Sequence, residues 1–205
     1  MNSKIETDSK RELILEGAIR RFSHFSIQKT TMNEIADDLS MSKPNLYYYF
    51  PDKTSLVIAV AEKITDEYLA AIDEEFTNSD AVDESLLKVI IIRNVFFKKY
   101  YMLHINDGQT EALFKDENLR SLMAGVKEKE LALIAAQIRE GKRQNLFKTI
   151  DVEKTTALFM DMLTGLQLCI GAMKSPVPAA EAFDETLHKQ LEVARIFLDG
   201  IRRND

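Results

Sequence analysis

The sequence predicts an all-α protein in two parts, a small three-helix N-terminal unit and a larger helical remainder. Three observations carry this expectation. Apolar residues recur at three- and four-residue intervals along nearly the whole chain, and no stretch alternates convincingly as a strand would. Seven glycines and four prolines among 205 residues leave room for few turns. The segment from Thr31 to Phe50, TMNEIADDLSMSKPNLYYYF, spells two short helices with a sharp turn between them.

The elements follow in order. Asp8 to about Ser23 reads as the first helix, with Leu15, Ala18, Ile19 and Phe22 on one side. Thr31 followed by Glu34 is a capping box that starts a second helix over 31–38, whose apolar stripe is Ile35 and Leu39. Leu39, Ser40 and Met41 make the turn. Ser42 offers a hydroxyl to cap the third helix, 42–49, and Pro44 falls in its first turn, where a missing N–H costs nothing. Leu46 and Phe50 continue the apolar face, and Pro51 stops the helix. Lys43, Asn45, Tyr47 and Tyr48 are left on the outer face. Such side chains hydrogen-bond bases and phosphates, on a helix of a size the major groove admits. Consecutive residues turn by about 100°, so Tyr47, Tyr48 and Tyr49 cannot all face inward. The segment is a helix-turn-helix, and it predicts binding to double-stranded DNA.

Asp52 caps a long fourth helix running to about Phe76, ended by Asn78, Ser79 and Asp80. The run 86–97 is apolar almost all round, as a helix buried on several sides would be. A short helix over 107–114 follows. Asp116 to Glu140 is a long helix closed by Gly141, read as the residue just past its end. Asp151 caps a helix reaching about Lys174, and after the break at Ser175 to Pro178 the last helix occupies about 179–202. On that helix Phe183, Leu187, Leu191, Ala194, Leu198 and Ile201 form the stripe of a packed seam. The preceding helix carries small residues at Ala157, Gly165, Gly171 and Ala172, which permit close backbone approach. Pairing both helices with their counterparts predicts a homodimer through residues 151–174 and 179–202. The other reading of the stripe is an internal core seam.

Bulk composition is that of an ordinary globular protein, 45% hydrophobic and 29% charged. A single cysteine, Cys169, excludes an internal disulfide and fits the reducing cytoplasm. The polar N-terminus does not read as a signal peptide, and no apolar run reaches membrane-spanning length. The net charge of −6 is unevenly spread: residues 1–63 hold nine Lys/Arg and nine Asp/Glu, so the acidic excess lies beyond them. The DNA-binding end is neutral rather than basic, and contact with DNA must rest on a few placed groups.

Ile14, Ala18, Phe22, Thr30, Thr31, Ile35, Ala36, Leu39, Met41, Ser42, Lys43, Leu46, Tyr47, Tyr49, Phe50, Lys53 and Leu56 together resemble the TetR family of transcriptional regulators. The resemblance covers about residues 10 to 60. It implies a homodimer that binds a palindromic operator, usually as a repressor, and releases it when a small molecule enters the C-terminal part. Carried over position by position, it implies that Thr31 meets a phosphate and that Asn33 faces bases. Lys43, Pro44 and Asn45 would read bases, Tyr47 and Tyr48 would contact phosphate or sugar with Tyr49 nearby, and Lys53 would anchor a phosphate. The domains implied are 1–51 for DNA and 52–205 for sensing and dimerisation. Ser26 and Ser40 stand where the family usually has glycine, which places strain at Ser40 if its φ is positive.

For a small-molecule effector the candidates are polar groups set in apolar helices and large flexible side chains: Tyr68, Asn94, Phe97, Tyr101, His104, Met123, Phe159, Met162 and Gln167. Core packing or internal hydrogen bonding is the alternative for each. No cofactor or metal is expected, and no enzymatic activity. Two other readings are a C-terminal part that only dimerises or binds a protein partner, and a metal-binding helical-bundle enzyme. The latter would use Glu185-x-x-His188, a spacing such bundles need twice.

Overall fold

The computed structural model describes residues 2–104, 115–171 and 180–203; the side chains of 2–7, 102, 104 and 169–171 fall outside the description. The expected short helix at 107–114, the proline break at 175–178, Ala172 and the Cys169 side chain therefore lie outside the described residues. The described elements are helical: α1 (Asn2–Lys29), α2 (Met32–Asp38), α3 (Lys43–Tyr49), α4 (Lys53–Asn78), α5 (Val82–Lys99), α6 (Tyr101–His104), α7 (Glu117–Arg143), α8 (Val152–Gly171) and α9 (Ala180–Ile201). They form two compact units, Met1–Asp66 with Lys99–Met123, and Glu67–Lys98 with Ala124–Asp205. No described helix is long and apolar enough to cross a membrane.

The first unit is built on α1, whose Ile14, Ala18 and Phe22 are fully buried, together with Ala36, Leu46 and Leu56. α1 is longer than its periodicity suggests, because helical turns continue from Asn2 to Lys29 across a kink at Ser26. There the backbone adopts φ 70, ψ 159. That region is essentially reserved for glycine, and occupying it costs a serine about 1–3 kcal/mol. α2 begins with the complete capping box, the Thr31 N–H donating to Glu34 at 2.7 Å and the Glu34 N–H to the Thr31 hydroxyl at 3.3 Å.

The turn after α2 closes as a Schellman motif. Met41 N–H bonds the Ala36 carbonyl at 2.9 Å, Ser40 N–H bonds that of Asp37 at 3.1 Å, and Ser40 sits at φ 50. α1 passes this turn closely: a Cβ on Gly17 would lie 2.8 Å from a Leu39 methyl. Glycines at both serines would relieve strain, and Ser26 holds the costlier conformation. Ser26→Gly is expected to raise stability by about 1 kcal/mol and to exceed Ser40→Gly, the flexibility lost on folding offsetting part of the gain. A thermal melt in which Ser26→Gly lowers the midpoint would refute the strain argument.

Ser42 occupies the cap position of α3 but makes no side-chain cap bond. The reason lies in the sequence. Pro44 has no N–H to offer, and the Asn45 N–H is taken by the Ser42 carbonyl at 3.0 Å. Asp52 does cap α4, accepting from the Ser55 N–H at 2.7 Å.

In the second unit, Ile72, Leu86, Val89, Ile90, Ile134, Phe159 and Leu163 form one buried cluster. Its polar members are bonded internally, Gln137 Nε2 to Ser85 Oγ at 2.7 Å and Gln190 Nε2 to the Leu163 carbonyl at 2.8 Å. Asp151 caps α8, as expected, through the Lys154 N–H at 3.0 Å. After α7 the chain folds back, and Lys148 N–H and Arg203 N–H bond the Ile201 and Leu146 carbonyls, both at 2.9 Å, tying this loop to the end of α9.

One expectation fails here. Gly141 does not end α7; it lies inside the helix, where a Cβ would come within 2.4 Å of the Phe147 ring. The left-handed residue is Asn145, at φ 60, and the Leu146 and Asn145 N–H groups close the end onto Gly141 and Lys142. The α9 stripe packs within the chain, the internal-seam reading of the pattern. Phe183, Ala194 and Leu198 are buried inside the chain itself, and Leu187, Leu191 and Ile201 pack against the same core. The large apolar side chains that α8 and α9 leave exposed, among the described residues, are Leu158, Leu168 and Ile196, at 52%, 69% and 67%.

Candidate nucleic-acid interface

α3 is a two-turn helix held by its apolar side. Leu46 is fully buried, Phe50 is 3% exposed, and the Arg11 guanidinium lies over the Phe50 ring at 5.3 Å. That anchorage fixes which side chains face out. Lys43 and Pro44 are exposed and Asn45 and Tyr49 are half-buried. Tyr47 is 44% and Tyr48 78% exposed, and the Tyr48 ring meets Tyr49 edge-on at 5.2 Å. A tyrosine that exposed on an otherwise well-packed helix has its phenol free to reach a phosphate or sugar.

Thr31 and Asn33 are exposed at the start of α2. The Thr31 hydroxyl donates to Glu34 at 2.9 Å, and with its N–H also bonded to Glu34, this end of α2 is internally held. The capping contacts with Thr31, opposed by burial and aided by Arg21, hold the Glu34 carboxyl below its usual range. Lys53, at the first position of α4, is half-buried, and its ammonium donates to the Gln28 carbonyl at 3.4 Å. Burial pushes its pKa below the ordinary lysine value, Glu34 opposing. These nine residues thus share one stretch of the first unit, on α2, α3 and the start of α4.

The expected effector residues do not fall into one group. Tyr101 and Met123 belong to the first unit, the others with described side chains to the second, and the His104 side chain is outside the description. Asn94 is 7% exposed and donates to the Phe183 carbonyl at 3.2 Å. Phe97 pairs with Phe183, ring centres 6.0 Å apart. Phe159 is fully buried in the core cluster, Met162 packs against it, and Gln167 is half-buried on α8.

Tyr68 is held in a buried polar cluster: its phenol donates to Glu130, which also takes an ion pair from Arg93, and Arg93 Nη1 lies 3.2 Å from the phenol. The Arg93 and Glu130 side chains are 13% and 8% exposed, and Arg93 Nε is buried without a partner. Burial pushes the Tyr68 phenol well above its usual value. Glu130 does not stand out in the sequence, since it lies in KEKEL, a run with the composition of a solvated face.

An open cleft of about 640 Å³ lies elsewhere in this unit, between Arg139, Lys142 and Arg143 and the start of α8. Its cations are engaged by Glu153, the Ile150 carbonyl and Glu140. Glu185 of the Glu-x-x-His pair is bound by Lys189 at 2.6 Å.

Residues 14–60 match the model described as bacterial regulatory proteins, tetR family. Over 202 residues the chain is 31% identical to the HTH-type transcriptional regulator RutR of Escherichia coli, covering 95% of this chain and 91% of that one. A transcriptional regulator from Cytophaga hutchinsonii superimposes with a TM-score of 0.85 at 27% identity, over 95% of this chain and 99% of the other. The fold is also that of the Bacillus subtilis transcriptional regulator FadR in complex with stearoyl-CoA, with a TM-score of 0.66 at 14% identity over 92% and 97% of the two chains. A helix-turn-helix with Tyr47 and Tyr48 exposed on its second helix and a helical remainder agree with these likenesses: the chain belongs to the TetR family of bacterial transcriptional regulators.

Proposed function

We propose that the protein is a ligand-responsive repressor that binds a palindromic operator as a homodimer in the cytoplasm. Residues 1–51 bind DNA, and 52–205 sense the effector and dimerise. The observation that carries this reading is the outward set on α3, Lys43, Pro44, Asn45, Tyr47 and Tyr48, on a helix pinned by buried Leu46. Lys43, Pro44 and Asn45 read bases, while Thr31, Tyr47, Tyr48 and Lys53 hold the phosphate backbone and Asn33 and Tyr49 flank them. Two copies pair through α8 and α9, using Leu158, Leu168 and Ile196 in place of the buried stripe.

The effector enters the helical unit near the buried polar cluster of Tyr68, Arg93 and Glu130; that a protein of this fold can hold a small molecule is supported by FadR in complex with stearoyl-CoA. Tyr68 lies on α4, the same unbroken helix that begins at Lys53. An effector that takes over Tyr68's partner would favour a different setting of α4, and hence a spacing of the two reading helices that no longer matches half-sites one turn apart.

Selection from a randomised duplex pool, followed by affinity measurement, tests the DNA side. Tyr48→Ala should weaken binding about equally on every selected duplex, whereas Asn45→Ala should relax preference at one base position by about 1–3 kcal/mol. A wild-type chain that enriches no sequence would sink the operator reading.

A further inference from the structure

α2 is seven residues long, too short to hold itself, and it carries three carboxylates, Glu34, Asp37 and Asp38, in the very segment that meets a polyanion. One side chain of α1 answers both problems. Arg21 Nη2 lies 2.9 Å from Glu34, in the first turn of α2, and Arg21 Nη1 lies 2.7 Å from Asp38, in its last. The guanidinium stacks over the Phe25 ring at 5.0 Å, and the side chain is 17% exposed, with Nε buried. Glu34 is also the group that caps α2 through Thr31. A planar fork suits two carboxylates one helical turn apart while lying flat on a ring, which an ammonium does not.

We infer that Arg21 is a positioning residue for DNA binding, a strut from α1 that fixes both ends of α2 and thereby the seat of α3, without itself touching DNA. Its two partners are 41% and 50% exposed, so the ion pairs contribute little to folding. Their effect is on where α2 lies. Contacts set by hydrogen-bond geometry do not tolerate a loose support, so a small displacement is felt in sequence-specific binding first.

The test uses the full-length chain, a duplex that wild-type protein selects from a randomised pool, and poly(dI-dC) as the non-specific duplex. Arg21→Lys keeps the charge but loses the fork. It should stay folded by circular dichroism and bind poly(dI-dC) as wild type does, yet lose about tenfold on the selected duplex. Its salt dependence should be unchanged, because no phosphate contact is lost. Arg21→Ala should lose at least as much, and adding Asp38→Asn to it should not restore binding.

Three results would overturn the inference. One is Arg21→Lys and Arg21→Ala both matching wild type on the selected duplex. Another is a salt slope lower by about one, which would make Arg21 a phosphate contact. The third is rescue by Asp38→Asn, which would reduce its role to cancelling charge.

Discussion

Glu130→Ala is expected to cost about 3–5 kcal/mol of folding stability, the largest single-residue loss predicted for this chain. The substitution strands Arg93. Its side chain is 13% exposed, its Nε already lacks a partner, and Glu130 is its carboxylate. Burial works against the Arg93 charge, and the Tyr68 oxygen and Glu130 more than offset it, holding its pKa above the ordinary value. Without Glu130 the buried guanidinium loses its carboxylate, and Tyr68 loses its acceptor as well.

The pair itself need not be strongly stabilising, because removing two charges from water costs nearly what their attraction returns. Replacing both, Arg93→Met with Glu130→Leu, should therefore recover much of that loss, leaving about 1–3 kcal/mol for the Tyr68 phenol without its acceptor. Urea denaturation of the two variants side by side checks the argument. A Glu130→Ala variant that loses under about 1 kcal/mol, or a double variant as unstable as the single, would show that the cluster is solvated. The same cluster joins α4 to α5 and α7, so a double variant that folds but no longer responds to effector would connect it to signalling.

Local chemistry was legible in this sequence wherever neighbours along the chain decide the outcome. The Thr31–Glu34 box, the Asp52 and Asp151 caps and the outward tyrosines each depend on residues within one turn, and each is where the pattern puts it. Ser40 at positive φ could be anticipated because the motif demands that conformation whatever residue fills it. Ser42 is the local exception, its cap lost to Pro44 two residues on; the other misreadings come from residues more than one turn away. Gly141 looked like a helix end, but its missing Cβ makes room for Phe147 while Asn145 takes the turn. The α9 stripe announced a buried face without saying what covers it. Glu130 looked solvated because its partners, Arg93 and Tyr68, lie 37 and 62 residues away. In α8, where residues 157–168 are mostly apolar, periodicity could not separate the leucines that face the core from Leu158 and Leu168, which do not.

Those two leucines carry the second large expected effect. Leu158→Glu with Leu168→Glu should turn a dimer into a folded monomer of 23.4 kDa and weaken binding to the selected duplex by about 10²–10⁴-fold. Both side chains lie on α8, and Gly165 between them has open space where a side chain would stand, so a second helix can approach its backbone. A stable pairing needs about 1,200–2,000 Å² of buried surface in total, and two carboxylates at its apolar centre would be stranded there. The fold should survive, because neither leucine belongs to the core cluster. Leu187→Ala with Leu191→Ala is the contrasting case: these pack against that cluster, so the loss should appear as a lower melting point. Sedimentation equilibrium beside a thermal melt separates the two. If the glutamate variant remains a dimer with full affinity, the copies meet elsewhere. If it becomes a monomer with full affinity, a single reading helix suffices and the palindromic operator goes with it. The predicted loss arises because the second half-site is bound only while the first holds it at high effective concentration, and a monomer has no second reading helix to offer.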